Sequence, residues 1–267
     1  MKTERIIKSL KQKLIGLILI SVIIMAGFIN TYGRDFYQIK IYSIENEQQE
    51  QRMDKFLKDA YLPALHRAGI SSVGVFKPVE EDEMSGKLIY VLIPFKSIDQ
   101  FERLGNVLNN DKQFMDDGQD YIDAAHDNAP YLRIRSILVR AMKTMPEYGV
   151  PEHTTDHSER IYELRSYQGA TEKLYEKKVE MFTDGGESKL FMDLGFQPIF
   201  FGEVISGPIM PNLMYLTTFK NETSQNEHWN AFRISPVWTE LKADEQYANT
   251  VSKSEKFMLH PTDYSDL

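Results

Sequence analysis

Two stretches of the chain, Phe36-Tyr37-Gln38-Ile39-Lys40-Ile41-Tyr42 and Ile161-Tyr162-Glu163-Leu164-Arg165-Ser166-Tyr167, share one pattern: apolar, Tyr, polar, aliphatic, cation, any residue, Tyr. Side chains alternate faces along a strand. Tyr37, Ile39 and Ile41, with Tyr162, Leu164 and Ser166, therefore point one way. Gln38, Lys40 and Tyr42, with Glu163, Arg165 and Tyr167, point the other. The expectation is that the apolar face packs on helices while the polar face lines an interior shared by two units.

After the first strand, Met53, Phe56, Leu57, Ala60, Tyr61, Ala64 and Leu65 recur at helical spacing, predicting an amphipathic helix over 47–67 that stops at Gly69. Pro63 should kink or shorten its last turn. Strands over 73–77 and 88–95 flank an acidic turn; helices follow over 98–109 and 112–125, then a strand over 131–139. The order is βαββαβ, the ferredoxin-like arrangement, with helices on one face of an antiparallel sheet. Residues 141–159, with Pro146, Gly149 and Pro151, lack either hydrophobic period and read as a linker.

The same order then repeats: a strand over 161–167, a helical stretch over 172–194 broken near Gly185-Gly186, strands over 200–205 and 213–219, and a helix from 225. Tyr162 follows Tyr37 by 125 positions and Tyr215 follows Tyr90 by 125, while Phe219-Lys220 lies 124 beyond Phe95-Lys96. A period held that closely indicates an internal duplication. The predicted fold is α+β: two tandem ferredoxin-like (βαββαβ) units, 34–140 and 160–267, packed sheet to sheet as an intrachain pseudo-dimeric α/β barrel.

Residues 1–33 are set apart. Five Lys/Arg precede an uncharged apolar run over 14–29, and Thr31 and Gly33 place small residues where a signal peptidase cuts. The run is short of the roughly 20 residues that span a bilayer. A secretory signal and a periplasmic or extracellular protein are expected, with a retained anchor over 14–29 as the alternative and the membrane involved only through that segment. The chain contains no cysteine, so disulfides, thiolate metal sites and a Cys nucleophile are excluded. Subtracting the five Lys/Arg and one Glu of residues 1–33 from the chain's 31 and 39 leaves a net charge of −12. That surface repels nucleic acid, and no nucleic-acid partner is expected.

The motif Tyr162-Glu163-Leu164-Arg165-Ser166-Tyr167, with His228-Trp229-Asn230-Ala231-Phe232-Arg233-Ile234-Ser235-Pro236-Val237-Trp238, resembles the signature of the NIPSNAP family, part of the dimeric α/β-barrel superfamily. The resemblance covers 160–260 well and 35–139 more weakly: Ile39-Lys40 replace Leu-Arg, and no Trp stands at the position matching Trp229. It implies no shared catalytic activity. Animal members act at mitochondria through protein contacts, a compartment that the export signal argues against. The superfamily also includes cofactor-free monooxygenases, isomerases and haem-binding enzymes, so fold alone does not decide function.

Lys40 and Arg165 on the polar strand face, with Arg133 and Arg135 on another strand, would make a cationic interior suited to a small anionic or aromatic molecule, or else sit paired or in water. Tyr42, Tyr167, Tyr90 and Tyr215 can orient such a ligand or simply fill core. His228 offers a base or haem ligand, against an ordinary packing role beside Trp229 and Trp238. His153 and His157 have metal spacing but lie in the linker with no third ligand, so neither a metal site nor a cofactor is expected. No nucleophile elbow, phosphate loop or dinucleotide motif occurs. The leading reading is an exported binding or interaction module with lining residues Lys40, Tyr42, Arg165, Tyr167, Tyr215 and His228; a protein partner and self-association stay open. The alternative is a cofactor-independent oxygenase or isomerase acting on a small aromatic or enolisable substrate, with Arg165, Tyr167 and His228 nearest the chemistry. A third is a scaffold whose barrel is filled with side chains.

Overall fold

The first strand, β1 (Phe36–Ser43), forms from the predicted alternating segment and pairs on both sides, with β3 (Leu88–Phe95) and β4 (Arg133–Ala141). In this computed structural model, residues 33–267 are described. The expected signal or anchor lies outside the described residues. Arg34–Leu267 forms one compact unit, and among the described residues no helix is long and apolar enough to cross a membrane.

The remaining strands are β2 (Gly74–Pro78), β5 (Ile161–Gln168), β6 (Gln197–Ser206), β7 (Asn212–Phe219) and β8 (Lys253–Pro261). They close a barrel in the order β1-β3-β2-β8-β5-β7-β6-β4. Each ferredoxin-like sheet thus joins its two edge strands to those of the other, antiparallel at β2–β8 and β4–β6, which leaves no free edge in the ring. At the second seam Gly202 lets the backbones approach: a Cβ there would stand 2.2 Å from Val139 Cγ1.

The helices begin at caps that repeat between the units. Helix α1 (Glu47–Phe56) starts at Asn46, whose side chain accepts from Gln49 N; α3 (Ile98–Asn109) starts at Ser97, which accepts from Gln100 N. In the second unit α6 (Glu172–Phe182) starts at Thr171 and α8 (Glu222–Ile234) at Asn221, each making the same bond three residues on. Between α1 and α2 (Leu62–Arg67) the chain widens into a π turn, Leu57–Tyr61, in which Leu62 N donates to Leu57 O. Pro63, which has no N–H, is accommodated by that wider turn, and the helix continues to Arg67 instead of being cut short. Short helices α4 (Lys112–Asp117) and α5 (Gln119–Ile122) complete the first unit. In the second, α7 (Glu187–Asp193) restarts after Gly186, whose φ of +92° favours glycine, and α9 (Pro236–Ala243) follows Ser235.

The expectation about faces is reversed. Tyr37, Ile39, Ile41, Tyr162 and Leu164 point into the barrel, where they pack with Phe76, Leu92, Val139, Phe200, Leu216 and Leu259. One pocket among these side chains holds about 10 Å³ and another, beside Ile41, Ile137 and Met214, about 40 Å³, each too little for a ligand. Lys40, Tyr42, Arg165, Tyr167 and Tyr215 lie on the other side, beneath the helices. Because the sheet is covered on both faces, the alternation marks two faces without saying which is inside.

The period also slips. Lys40 pairs with Val91 and Arg165 with Tyr215, so Tyr215 corresponds to Val91, and the duplication runs at 125 through α1 and α6 but 124 at the third strand and the helix after it. A one-residue offset changes the face of every side chain: Tyr90 belongs to the barrel core and Tyr215 to the helix side.

Candidate functional site

Each unit has a layer between the outer face of its strands and its helices, and the two layers are filled differently. In the second unit the carboxylate of Glu163, fully buried on β5, accepts from Arg165 Nε, from Gln225 Nε2 and from Trp229 Nε1 at 2.8 Å. The Arg165 guanidinium lies over the Trp229 ring, 4.1 Å from its centre. Tyr167 and Tyr215 share a hydroxyl–hydroxyl hydrogen bond of 2.9 Å, and Lys178 pairs with Glu187 beside them, both buried. Phe191, Phe196 and Phe232 close round Trp229. Each of these charges has a partner, and the aromatic side chains fill the layer.

In the first unit the corresponding layer holds a cavity of about 500 Å³, within the roughly 300–1,000 Å³ of ordinary ligand pockets. Gln38 and Lys40 of β1 form its floor; Phe56 and Tyr61 of the long helix, Leu104 and Leu108 of α3, Phe114 of α4, Tyr121 of α5 and Tyr131 form its walls. Exposed Gly105 and Asn109 on α3 stand at the rim.

The sequence difference behind this contrast is small. Gly105 and Trp229 stand at the same remove from the caps Ser97 and Asn221, so glycine occupies the place of the indole. A Cβ on Gly105 would meet nothing within 4 Å. Gln38 replaces the carboxylate of Glu163, and Lys40 is left without the acidic partner that Arg165 has.

Lys40 is half-buried, and among the described residues its Nζ has one hydrogen-bond partner, the Tyr61 hydroxyl at 3.5 Å. It also lies over the rings of Tyr61 at 4.9 Å and Tyr42 at 5.3 Å. Such contacts are worth about 0.5–2 kcal/mol each, less than the several kcal/mol that burying an ammonium costs. Burial accordingly pulls the Lys40 amine down to about 8. Burial likewise holds the Tyr42, Tyr61 and Tyr121 phenols above their ordinary range. Tyr42 meets Tyr131 edge-on, and its hydroxyl has no hydrogen-bond partner among the described residues.

The expected site residues therefore separate. Lys40 faces the cavity, with Tyr42 adjoining Lys40 and Tyr131. Arg165, Tyr167 and Tyr215 are held in the closed layer of the second unit. His228 is placed by packing: Nδ1 faces Ser224 O at 2.7 Å and Nε2 faces Gly195 O at 3.2 Å, and the ring sits edge-on to Phe196 and Phe219. A neutral imidazole donates to one of these two carbonyls at a time, and the ring lies in the second unit, away from the cavity that Lys40 faces. Arg133 and Arg135 are exposed near the barrel end. His157 opens a short 3₁₀ turn and His153 precedes it in irregular chain, so their helical metal spacing is not realised. Among the described residues no cluster of three or more His, Asp or Glu could hold a metal.

Tyr61, Tyr121, Tyr131 and Gly105 were not singled out from the sequence. The one available signal was the missing Trp: a glycine in an amphipathic helix at the position where the second copy carries an indole.

Residues 162–266 match the family model of NIPSNAP. No curated protein matches the chain in sequence. A candidate monooxygenase from Lactobacillus acidophilus is similar in structure with a TM-score of 0.56 at 12% identity, over 85% of this chain and 94% of that one. A candidate monooxygenase from Fusobacterium nucleatum gives 0.55 at 10%, over 86% and 94%. A NIPSNAP family protein from Agrobacterium tumefaciens gives 0.37 at 18%, over 45% of this chain and 98% of its own. At these identities the whole-length likenesses show the fold, the dimeric α/β barrel, here closed by a single chain. The match to the NIPSNAP family model lies within the second unit of the chain, over residues 162–266.

Proposed function

We propose that the protein binds a small aromatic molecule with an oxygen-rich, anionic end in the cavity of its first unit. The observation that carries this reading is the contrast between equivalent layers: one sealed by Trp229 and Glu163, the other left open at Gly105 with an ammonium at its floor. Rings of Phe56, Tyr61, Tyr121 and Tyr131 suit an aromatic body. A carboxylate or enolate placed at Lys40 supplies the counter-charge that Glu163 gives Arg165.

The test is calorimetric titration with benzoate, chosen as the simplest aromatic anion, on the wild type and on two variants. Gly105→Trp should refill the cavity and abolish the heat of binding, while Gly105→Ala should leave it intact. Equal binding by wild type and Gly105→Trp would move the site elsewhere, and no binding of benzoate or of larger aromatic acids would sink the reading.

The names of the two whole-length neighbours favour a second reading, an oxygenase acting on an aromatic substrate held in this same cavity. Oxygen uptake with an electron-rich phenol that binds, lost in Gly105→Trp, is the outcome that would support it. Export remains part of the proposal: mass spectrometry of the secreted protein should find a chain beginning after Gly33, and an intact Met1 would contradict it.

A further inference from the structure

An amine at the floor of an aromatic cavity has chemistry beyond ion pairing. Lys40 Nζ reaches the cavity, has no carboxylate partner among the described residues, and lies 3.5 Å from the Tyr61 hydroxyl. Arg165, at the equivalent strand position, is tied to Glu163 and is a guanidinium, which does not act as a nucleophile. The two copies thus differ in kind: one cation is structural and the other is a primary amine open to a ligand.

We propose that Lys40 captures small aromatic aldehydes or ketones covalently, with Tyr61 as the residue that positions the carbonyl oxygen. This rests on the reading that the cavity takes aromatic molecules and goes beyond it by naming a bond. The lone pair of neutral Nζ attacks the carbonyl carbon, and the C=O π pair moves to oxygen, which takes up a proton to give a carbinolamine. Loss of the hydroxyl as water then forms the C=N bond of an imine. The sum is amine plus carbonyl giving imine plus water, with no oxidant or reductant. Tyr61 donates a hydrogen bond to the oxygen as it gains charge, and burial keeps that phenol protonated.

The electrostatics favour the step. An ordinary lysine is neutral at pH 7 in roughly one molecule in a few thousand, whereas an amine titrating near 8 is neutral in about one in ten. The other titratable groups around Nζ are the phenols of Tyr42, Tyr61, Tyr121 and Tyr131; α3 and α4 present Phe101, Leu104, Leu108, Asn109 and Phe114, none of which titrates.

The experiment is reductive trapping with benzaldehyde and cyanoborohydride on the full chain, followed by intact mass and peptide mapping. The expected result is one benzyl group on Lys40, formed ~10-fold or more faster than on any other lysine. Its rate should rise from pH 6 to 8 and level above, be absent in Lys40→Arg, and fall several-fold in Tyr61→Phe. Gly105→Trp, which keeps the lysine but fills the cavity, should also block labelling. Labelling spread over surface lysines and unchanged in Lys40→Arg overturns the inference. If benzoate binds but Lys40 is not trapped, covalent capture fails and the binding reading stands; if neither happens, both fail.

Discussion

The Arg165 guanidinium lies over the Trp229 indole, and the two meet on one carboxylate, that of Glu163. A strand cation that looked available for a ligand is consumed by its own fold. The equivalent lysine, with glutamine and glycine in place of those two partners, is not.

Removing Arg165 should therefore cost stability and leave ligand binding alone. Arg165→Ala strands a buried carboxylate with only Gln225 and Trp229 as donors, and a loss of about 3 kcal/mol is expected in urea unfolding. Benzoate binding should be unchanged. A folded Arg165→Ala protein that no longer binds benzoate would place the ligand in the second unit after all.

Lys40→Met should do the opposite, raising stability at neutral pH by about 1–3 kcal/mol. Below pH 8 the folded and unfolded chains both hold the Lys40 proton, so the full cost of burying the ammonium is present. Between about 8 and 10.5 the unfolded chain holds more protons than the folded one, and wild-type stability gains with rising pH. The advantage of Lys40→Met should be greatest at pH 7 and fade across that window, as followed by denaturant midpoints. An advantage that does not vary with pH would mean that the amine titrates normally.

At Gly105 the helix interior is exposed and its Cβ space is free. Gly105→Ala should stabilise the protein by about 0.5–1 kcal/mol through lost freedom in the unfolded chain. A melting temperature below wild type would show that the glycine is needed for the backbone and not for the opening.

Gly202 behaves differently. A methyl there would run into Val139, a fully buried core side chain, at the seam between β4 and β6. Gly202→Ala should lose about 1–3 kcal/mol, and Val139→Ala in the same chain should recover part of it. No loss from Gly202→Ala alone would mean that the seam is looser than the barrel demands.

Much of the architecture was legible because it depends on local signals. The strand over Leu88–Phe95 and the helix over Ile98–Asn109 end where apolar periodicity and the caps say they should, and the repeat predicts the barrel. Facing was not legible. Ile39 and Lys40 lie on opposite sides of a sheet that is covered on both, and polarity suggested the wrong interior because Glu163 and Arg165 satisfy each other beneath the helices. The identical residue at Tyr90 and Tyr215 concealed a one-position slip that only strand pairing reveals. The cavity left the faintest trace, since it is made by the absence of an indole and a carboxylate rather than by any motif.

Closing the eight-stranded ring with one polypeptide has an evolutionary consequence. When two identical subunits build such a barrel, every substitution appears twice, so a hole or an unmatched cation that weakens one copy weakens both. Here the seams β2–β8 and β4–β6 join halves that are free to change independently. The tightly bonded half can serve as an anchor while its sibling accumulates the costly features that make room for a guest.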